Sequence, residues 1–99
     1  MSHHDLCFGC GQANLFGLQL EGGRFFVKQD HQGPDGGAHP GIVVTALLEA
    51  MSLAGGEPRS FRVELLGEAP VGEFVDVDAD ARRATARVRG EVIAECQTA

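Results

Sequence analysis

Residues able to do chemistry gather in two stretches of this chain, one before residue 11 and one between residues 31 and 49. In the first, Cys7 and Cys10 stand in a Cys-x-x-Cys spacing found in many zinc sites, and His3, His4 and Cys96 are further residues of ligating type that would complete four. A second Cys-x-x-Cys is absent, and His3 and His4 stand close to the start of the chain. The preferred reading is therefore two reduced cysteines packing an N-terminal loop, with no metal assigned. A redox role is weaker still, because no strand precedes the pair in a thioredoxin-like unit. In the second stretch, His39 stands just before an apolar run and Glu49 lies within it. A histidine there serves either to orient a ligand carbonyl or to bind a backbone carbonyl. A carboxylate inside an apolar run needs partners or takes up a proton, so Glu49 is either a tuned acid–base group or half of a buried polar contact between subunits.

The elements that must position these groups follow from the apolar pattern. Residues 1–14 show no periodicity and read as an irregular N-terminal segment, leaving residues 15–99 as the folded domain. Leu18, Leu20 and Phe25–Val27 supply strand formers on both sides of Gly22-Gly23, a pair that breaks the strand with a bulge or hairpin-like turn. The turn-rich run 32–37 ends that region. Pro40 suits a first helical turn, and from Gly41 to Ala54 there is no other Pro or Gly before Gly55-Gly56, so a helix is predicted there. Ile42, Val43, Ala46, Leu47, Ala50, Met51 and Ala54 form its broad apolar face, Val44 and Leu48 extend it, and Thr45, Glu49 and Ser52 make a narrow polar strip. Such a helix is expected to be buried and wrapped by sheet. Period-two alternation then predicts four antiparallel strands, around 61–65, 75–79, 84–88 and 92–96, separated by turns at 69–72, at Arg82-Arg83 and at Gly90. Asp76, Asp78 and Asp80 alternate with Val77 and Ala79, which reads as the solvated face of a strand guarding a sheet edge rather than a calcium loop.

Composition narrows the function. With 99 residues there is room for one domain, and a chain this short buries only about 60–65% of its unfolded surface, which favours self-association. Hydrophobic content of 43% and charged content of 22% are those of a globular domain. The net charge of −6 argues against nucleic-acid binding, since the eight basic residues are scattered apart from the Arg82-Arg83 pair. No apolar run reaches membrane-spanning length, and no basic, then apolar, leader opens the chain. Three cysteines cannot all pair, and reduced thiols place the protein in the cytoplasm.

Four sequence motifs occur in an informative order: Cys7-Phe8-Gly9-Cys10-Gly11, Asn14-Leu15-Phe16-Gly17-Leu18, His31-Gln32-Gly33, and His39-Pro40-Gly41 leading to Leu47-Leu48-Glu49-Ala50. Together with Pro70-Val71-Gly72 they resemble one bacterial branch of the hotdog-fold acyl-CoA thioesterases, across nearly the whole chain. The resemblance implies an α+β hotdog fold, an antiparallel sheet wrapped around one central helix. It implies a homodimer or a dimer of dimers, no cofactor, and an acyl-CoA or related small-molecule thioester held between subunits at the helix N-terminus. There, free N–H groups and the helix dipole stabilise an oxyanion. By the same resemblance His39, Gly41 and Glu49 are the catalytic candidates, and Gln32, Gly33 and Thr45 the substrate-binding ones. One departure stands out. Related thioesterases carry the catalytic acid nine residues after the motif histidine, and Leu48 occupies that position. Glu49 is its neighbour, about 100° further round the helix. The two functional readings are thioester hydrolysis, with Glu49 or a partner-subunit residue activating water, and a non-catalytic module that keeps the acyl-ligand cleft.

Overall fold

The computed structural model describes residues 2–99 and consists of one helix lying on a five-stranded antiparallel sheet. The strands are β1 (Arg24–Phe26), β2 (Phe61–Leu65), β3 (Phe74–Ala79), β4 (Arg83–Val88) and β5 (Glu91–Thr98), and the helix α1 spans Pro40–Leu53. The sheet order is β1-β3-β4-β5-β2, so β1 and β2 are the edges. All four strands expected after the helix form. The strand region before it is shorter than its apolar content suggests: Leu18 and Leu20 are buried in irregular backbone, and only Arg24–Phe26 pair with β3. Gly22 and Gly23 both have positive φ and close a tight turn between Glu21 and Arg24, which suits only residues free of a Cβ.

Three aspects of the sheet differ from the pattern or refine it. The aspartates of β3 are solvated as expected, with Asp76 paired to Arg24 and Asp78 to Arg87, but β3 lies between β1 and β4, so they guard no edge. Asp80 instead caps the β3–β4 turn, accepting from the N–H groups of Arg82 and Arg83. The β4–β5 register shifts between Ala86 and Arg87, whose partners are Ala94 and Val92, and Ile93 is the extra residue. Ile93 is therefore buried next to Ala94, and its carbonyl accepts from both Leu66 and Gly67. That pair of bonds fixes the chain leaving β2 beside the start of α1.

The core lies between α1 and the concave face of β3, β4 and β5. Val43, Ala46, Leu47, Ala50 and Met51 are the buried residues of the helix, facing a sheet lined by Val75, Val77, Ala84, Ala86 and Ala94. Small residues at the centre of the sheet let the helix approach closely. The sheet covers one side of α1 only, whereas Ile42, Val44, Leu48 and Ser52 are half-buried. Part of that other side is covered by the irregular segment before residue 20, in which Cys10 is fully buried.

The helix start is held by its preceding loop. His31, at the end of a 3₁₀ turn over Gln29–His31, is 1% exposed; its Nδ1 accepts from Lys28 N–H at 3.1 Å and its Nε2 lies 3.3 Å from the Gly17 carbonyl. This pattern fixes the neutral ring with its proton on Nε2. The backbone of His39 donates to the His31 carbonyl at 2.7 Å, and Ala38 donates to Ala69 at 2.8 Å. Lys28 reinforces the clamp through its ammonium, which donates to the carbonyls of Leu15 and Gly17 and to Gln19.

Two outcomes are expected. Leu47 has no exposed surface, so Leu47→Ala should cost about 2–5 kcal/mol in urea denaturation. Burial holds the His31 pKa below its ordinary 6.5, so the unfolded chain takes up a proton there before the folded one. The stability this neutral ring contributes is complete above pH 6.5 and is lost as pH falls from 6.5 through the lower folded-state value. The advantage of the wild type over His31→Gln should therefore shrink across that window, and a constant gap between the two denaturation series would contradict it.

Candidate functional site

Two groups of residues stand on the helix, at its first turn and one face further along. At the first turn His39 is the N-cap, and its Nδ1 accepts from the Gly41 N–H at 2.9 Å. The donor implied for a ligand carbonyl is thus engaged by the neighbouring imidazole. Pro40 contributes no N–H, as its place at the helix start allows. Thr45 donates its hydroxyl to the Gly41 carbonyl at 2.7 Å and so steadies the same turn. Gln32 donates from its side-chain amide to the Gly36 carbonyl, shaping the loop. Gly33 lies so close to His39 that a Cβ there would come 2.6 Å from the His39 Cα. His39, Gly41, Thr45 and Gly33 are therefore brought together, with Gln32 on the adjoining loop.

Beside this turn is a cleft of about 190 Å³ lined by Pro34, Ala38, Pro40, Val43, Leu65 and Gly67, among others. It lies between the helix N-terminus and the end of edge strand β2. Sites for small molecules span about 300–1,000 Å³, and this cleft is smaller than that range.

Glu49 takes no part in that cleft. Its Oε2 lies 2.7 Å from His3 Nδ1 and accepts from the Cys7 thiol at 3.2 Å, within the chain and not across a subunit interface. Cys10 Sγ is 3.3 Å from the same imidazole nitrogen and accepts from the His3 backbone N–H at 3.1 Å. His3 Nε2 reaches Ser52 Oγ at 2.9 Å, one helical turn beyond Glu49. Gly9 makes room for the arrangement, since a Cβ there would run into the Glu49 side chain. Sequence reading paired Cys7 with Cys10 but did not join them to Glu49. The helical polar strip Thr45, Glu49, Ser52 was the available signal, because it supplies both helix partners of His3. Cys96 lies in the core on β5, its thiol pushed up by burial, and does not join this group. His4 donates nothing to it either: its Nδ1 accepts from Leu6 N–H.

The electrostatics follow from these contacts. Burial pushes the Glu49 carboxyl up, but hydrogen bonds from Cys10, Cys7 and His3 outweigh it and hold the group below its ordinary range. The bond to Cys7, followed by the contact with Glu49, raises the His3 imidazole. Burial and the Glu49 carboxylate push Cys10 up to about 12. Cys7 is lowered, because the N–H groups of Cys10 and Gly9 and the His3 ring overcome its burial.

Leu48, at the position where the resemblance places an acid, is packed against the core from the half-buried side. The rotation between adjacent helical residues carries Glu49 away to the N-terminal segment, so the two are not interchangeable.

No protein-family model matches the sequence, and no curated protein matches it. Solved structures do match. A mutant of the phenylacetic acid degradation protein PaaI from Thermus thermophilus superposes with a TM-score of 0.65 at 21% identity, over 74% of this chain and 76% of that one. Zebra fish thioesterase superfamily member 2 gives 0.52 at 20% identity, over 74% and 67%. The protein smu.793 from Streptococcus mutans UA159, bound to acetyl CoA, gives 0.55 at 15% identity, over 78% of each. The chain has the hotdog fold that these structures share.

Packing of the N-terminal segment on Glu49 can be tested through Gly9. Gly9→Ala is expected to destabilise by about 1–3 kcal/mol, since the methyl group overlaps the Glu49 side chain. Combining it with Glu49→Ala should cost clearly less than the sum of the two single changes, whereas strict additivity in a double-mutant cycle would show that the two do not meet.

Proposed function

We propose that the protein binds an acyl-CoA or related thioester at the N-terminal end of α1, in a cleft completed by a second copy, and that it does so without a helix carboxylate to activate water. The observation that carries this reading is the disposition of the two candidate positions: Leu48 is apolar, and the Glu49 carboxylate is committed to His3 and Cys7. The fold shared with an acetyl-CoA-bound structure supports the ligand class. In this reading the thioester carbonyl takes the Gly41 N–H once the exposed His39 ring swings away, with the helix dipole reinforcing the donor. Thr45 holds the donor turn, and Gln32 and Gly33 set the loop that borders it.

The small volume of the cleft and the half-covered side of α1 support a dimer. So does edge strand β2, where Phe61 and Leu65, followed by Leu66, are exposed. Sedimentation of a stable folded monomer at micromolar concentration would overturn that part of the reading.

The function is tested with a panel of short-chain, aryl and long-chain acyl-CoA substrates, following thiol release beside thermal melts. Ligand-dependent stabilisation without turnover is the expected result, and Leu48→Asp should then gain measurable hydrolysis if it folds. Hydrolysis by the wild type that disappears in Glu49→Gln would replace this reading with an enzyme that uses Glu49 as its base. Neither a thermal shift nor turnover across the panel would leave the cleft without an acyl-CoA ligand and refute the proposal.

A further inference from the structure

We infer that His3, Cys7, Cys10 and Glu49 form a structural zinc site that fastens the N-terminal segment to α1. One ligating atom from each of the four residues lies within 4.8 Å of all the others. Zinc bonds of about 2.3 Å to sulfur and 2.0–2.2 Å to nitrogen or oxygen build a tetrahedron with edges of roughly 3.3–3.8 Å. Cys7 Sγ to Glu49 Oε2 is 3.2 Å, Cys10 Sγ to His3 Nδ1 is 3.3 Å and Cys7 Sγ to His3 Nδ1 is 3.6 Å. The remaining measured edge, His3 Nδ1 to Glu49 Oε2, is a 2.7 Å hydrogen bond that opens when a cation replaces the proton between them.

The arrangement is that of ligands around a point and not that of a catalytic relay. A Cys-His-acid relay uses both ring nitrogens, one toward the thiol and the other toward the carboxylate. Here Cys7, Cys10 and Glu49 all converge on Nδ1, while Nε2 is turned outward to Ser52. That outward contact is what a ligating histidine requires, because the second nitrogen must donate to a partner that fixes the ring and leaves the first with its lone pair free. Further support comes from the sulfur environments. The His3 backbone N–H donates to Cys10 Sγ at 3.1 Å, a contact that a thiolate ligand keeps.

Four protein ligands fill a tetrahedral shell, so the site is closed and offers no position for substrate or a reactive water. Binding releases the protons of the two thiols and the one held between His3 Nδ1 and Glu49 Oε2, and moves no electron. The chain thereby acquires a cross-link between residues 3–10 and the middle of α1, made by three residues of the segment and one of the helix that sequence spacing alone does not connect. This inference stands apart from acyl-CoA binding, since the cluster lies away from the cleft.

The full-length protein, purified with reductant and dialysed, is tested for zinc by elemental analysis and for affinity by chelator competition. One zinc per chain is expected. Cobalt substitution should give a thiolate-to-cobalt charge-transfer band and visible bands of tetrahedral intensity. His3→Gln changes a residue at the exposed rim and should keep the fold, yet weaken zinc binding by at least about tenfold, and Ser52→Ala should weaken it by about 10–100-fold through the lost support of the ring. Glu49→Gln should alter the cobalt visible bands, while Cys96→Ser and His4→Gln should change neither stoichiometry nor spectrum. Reduced wild-type protein that takes up no zinc and yields no cobalt spectrum would overturn the inference, as would a Cys7–Cys10 disulfide whose reduction does not restore metal uptake. Unchanged affinity and spectrum in both His3→Gln and Glu49→Gln would also overturn this ligand set.

Discussion

The fold depends on a helix that is apolar on more sides than one sheet can cover. Alanines at the centre of β4 and β5 draw α1 down onto the sheet, and the contact buries Val43, Ala46, Leu47, Ala50 and Met51. What remains, Ile42, Val44 and Leu48 above all, is half-buried and still costs free energy in water. The irregular N-terminal segment covers the stretch of helix around Glu49 and Ser52. Exposed Leu65 of β2 lies at the other end, lining the cleft beside the helix start. Cover by the chain's own N-terminal segment thus answers only part of the packing problem that the helix poses.

Glu49 shows how that problem becomes an electrostatic one. A carboxylate whose side chain is 13% exposed must be compensated locally, and His3 and Cys7 compensate it from a segment that has no regular structure of its own. The same contacts that make the carboxylate tolerable remove it from chemistry at the cleft. Conversely, the segment is held by turn bonds of its own, such as Gly11 to Cys7 and Ala13 to Asp5, by the bonds of Leu18 and Leu20 to Phe8 and Gly9, and by its side-chain contacts with the helix. The helix and the segment stabilise each other.

Much of this was legible in the sequence, for identifiable reasons. Alternation located β2 to β5, although the bulge in β5 puts Ile93 and not Val92 in the core, and the Pro40 and Gly55 boundaries located α1, because each rests on local backbone chemistry. The early strand region was overread, since apolar residues such as Leu18 and Leu20 pack equally well from irregular backbone. The interior position of β3 was not legible, because sheet order is set by long-range pairing that alternation does not encode. The place of Glu49 beside His3, Cys7 and Cys10 was missed for the same reason: 39 positions of sequence separate Cys10 from Glu49, and only the return of the N-terminal segment over α1 joins them. The capping of Gly41 by His39 was equally invisible, since a motif shows which residues occur but not which hydrogen bonds they have already made.

The contrast between Leu48 and Glu49 carries the furthest consequence. Both lie on the third turn of one helix, separated by one step of about 100°. That step divides two environments, the partly covered apolar side reached by Leu48 and the polar pocket built by the N-terminal segment around Glu49. Sliding the helix by one residue to exchange them would carry Ala46, Leu47, Ala50 and Met51 out of the core as well, at a cost no single polar contact offsets. The burial of the opposite face therefore fixes which side chain meets which environment. It makes the acid at position 49 a partner of the N-terminal segment for as long as α1 remains seated on its sheet.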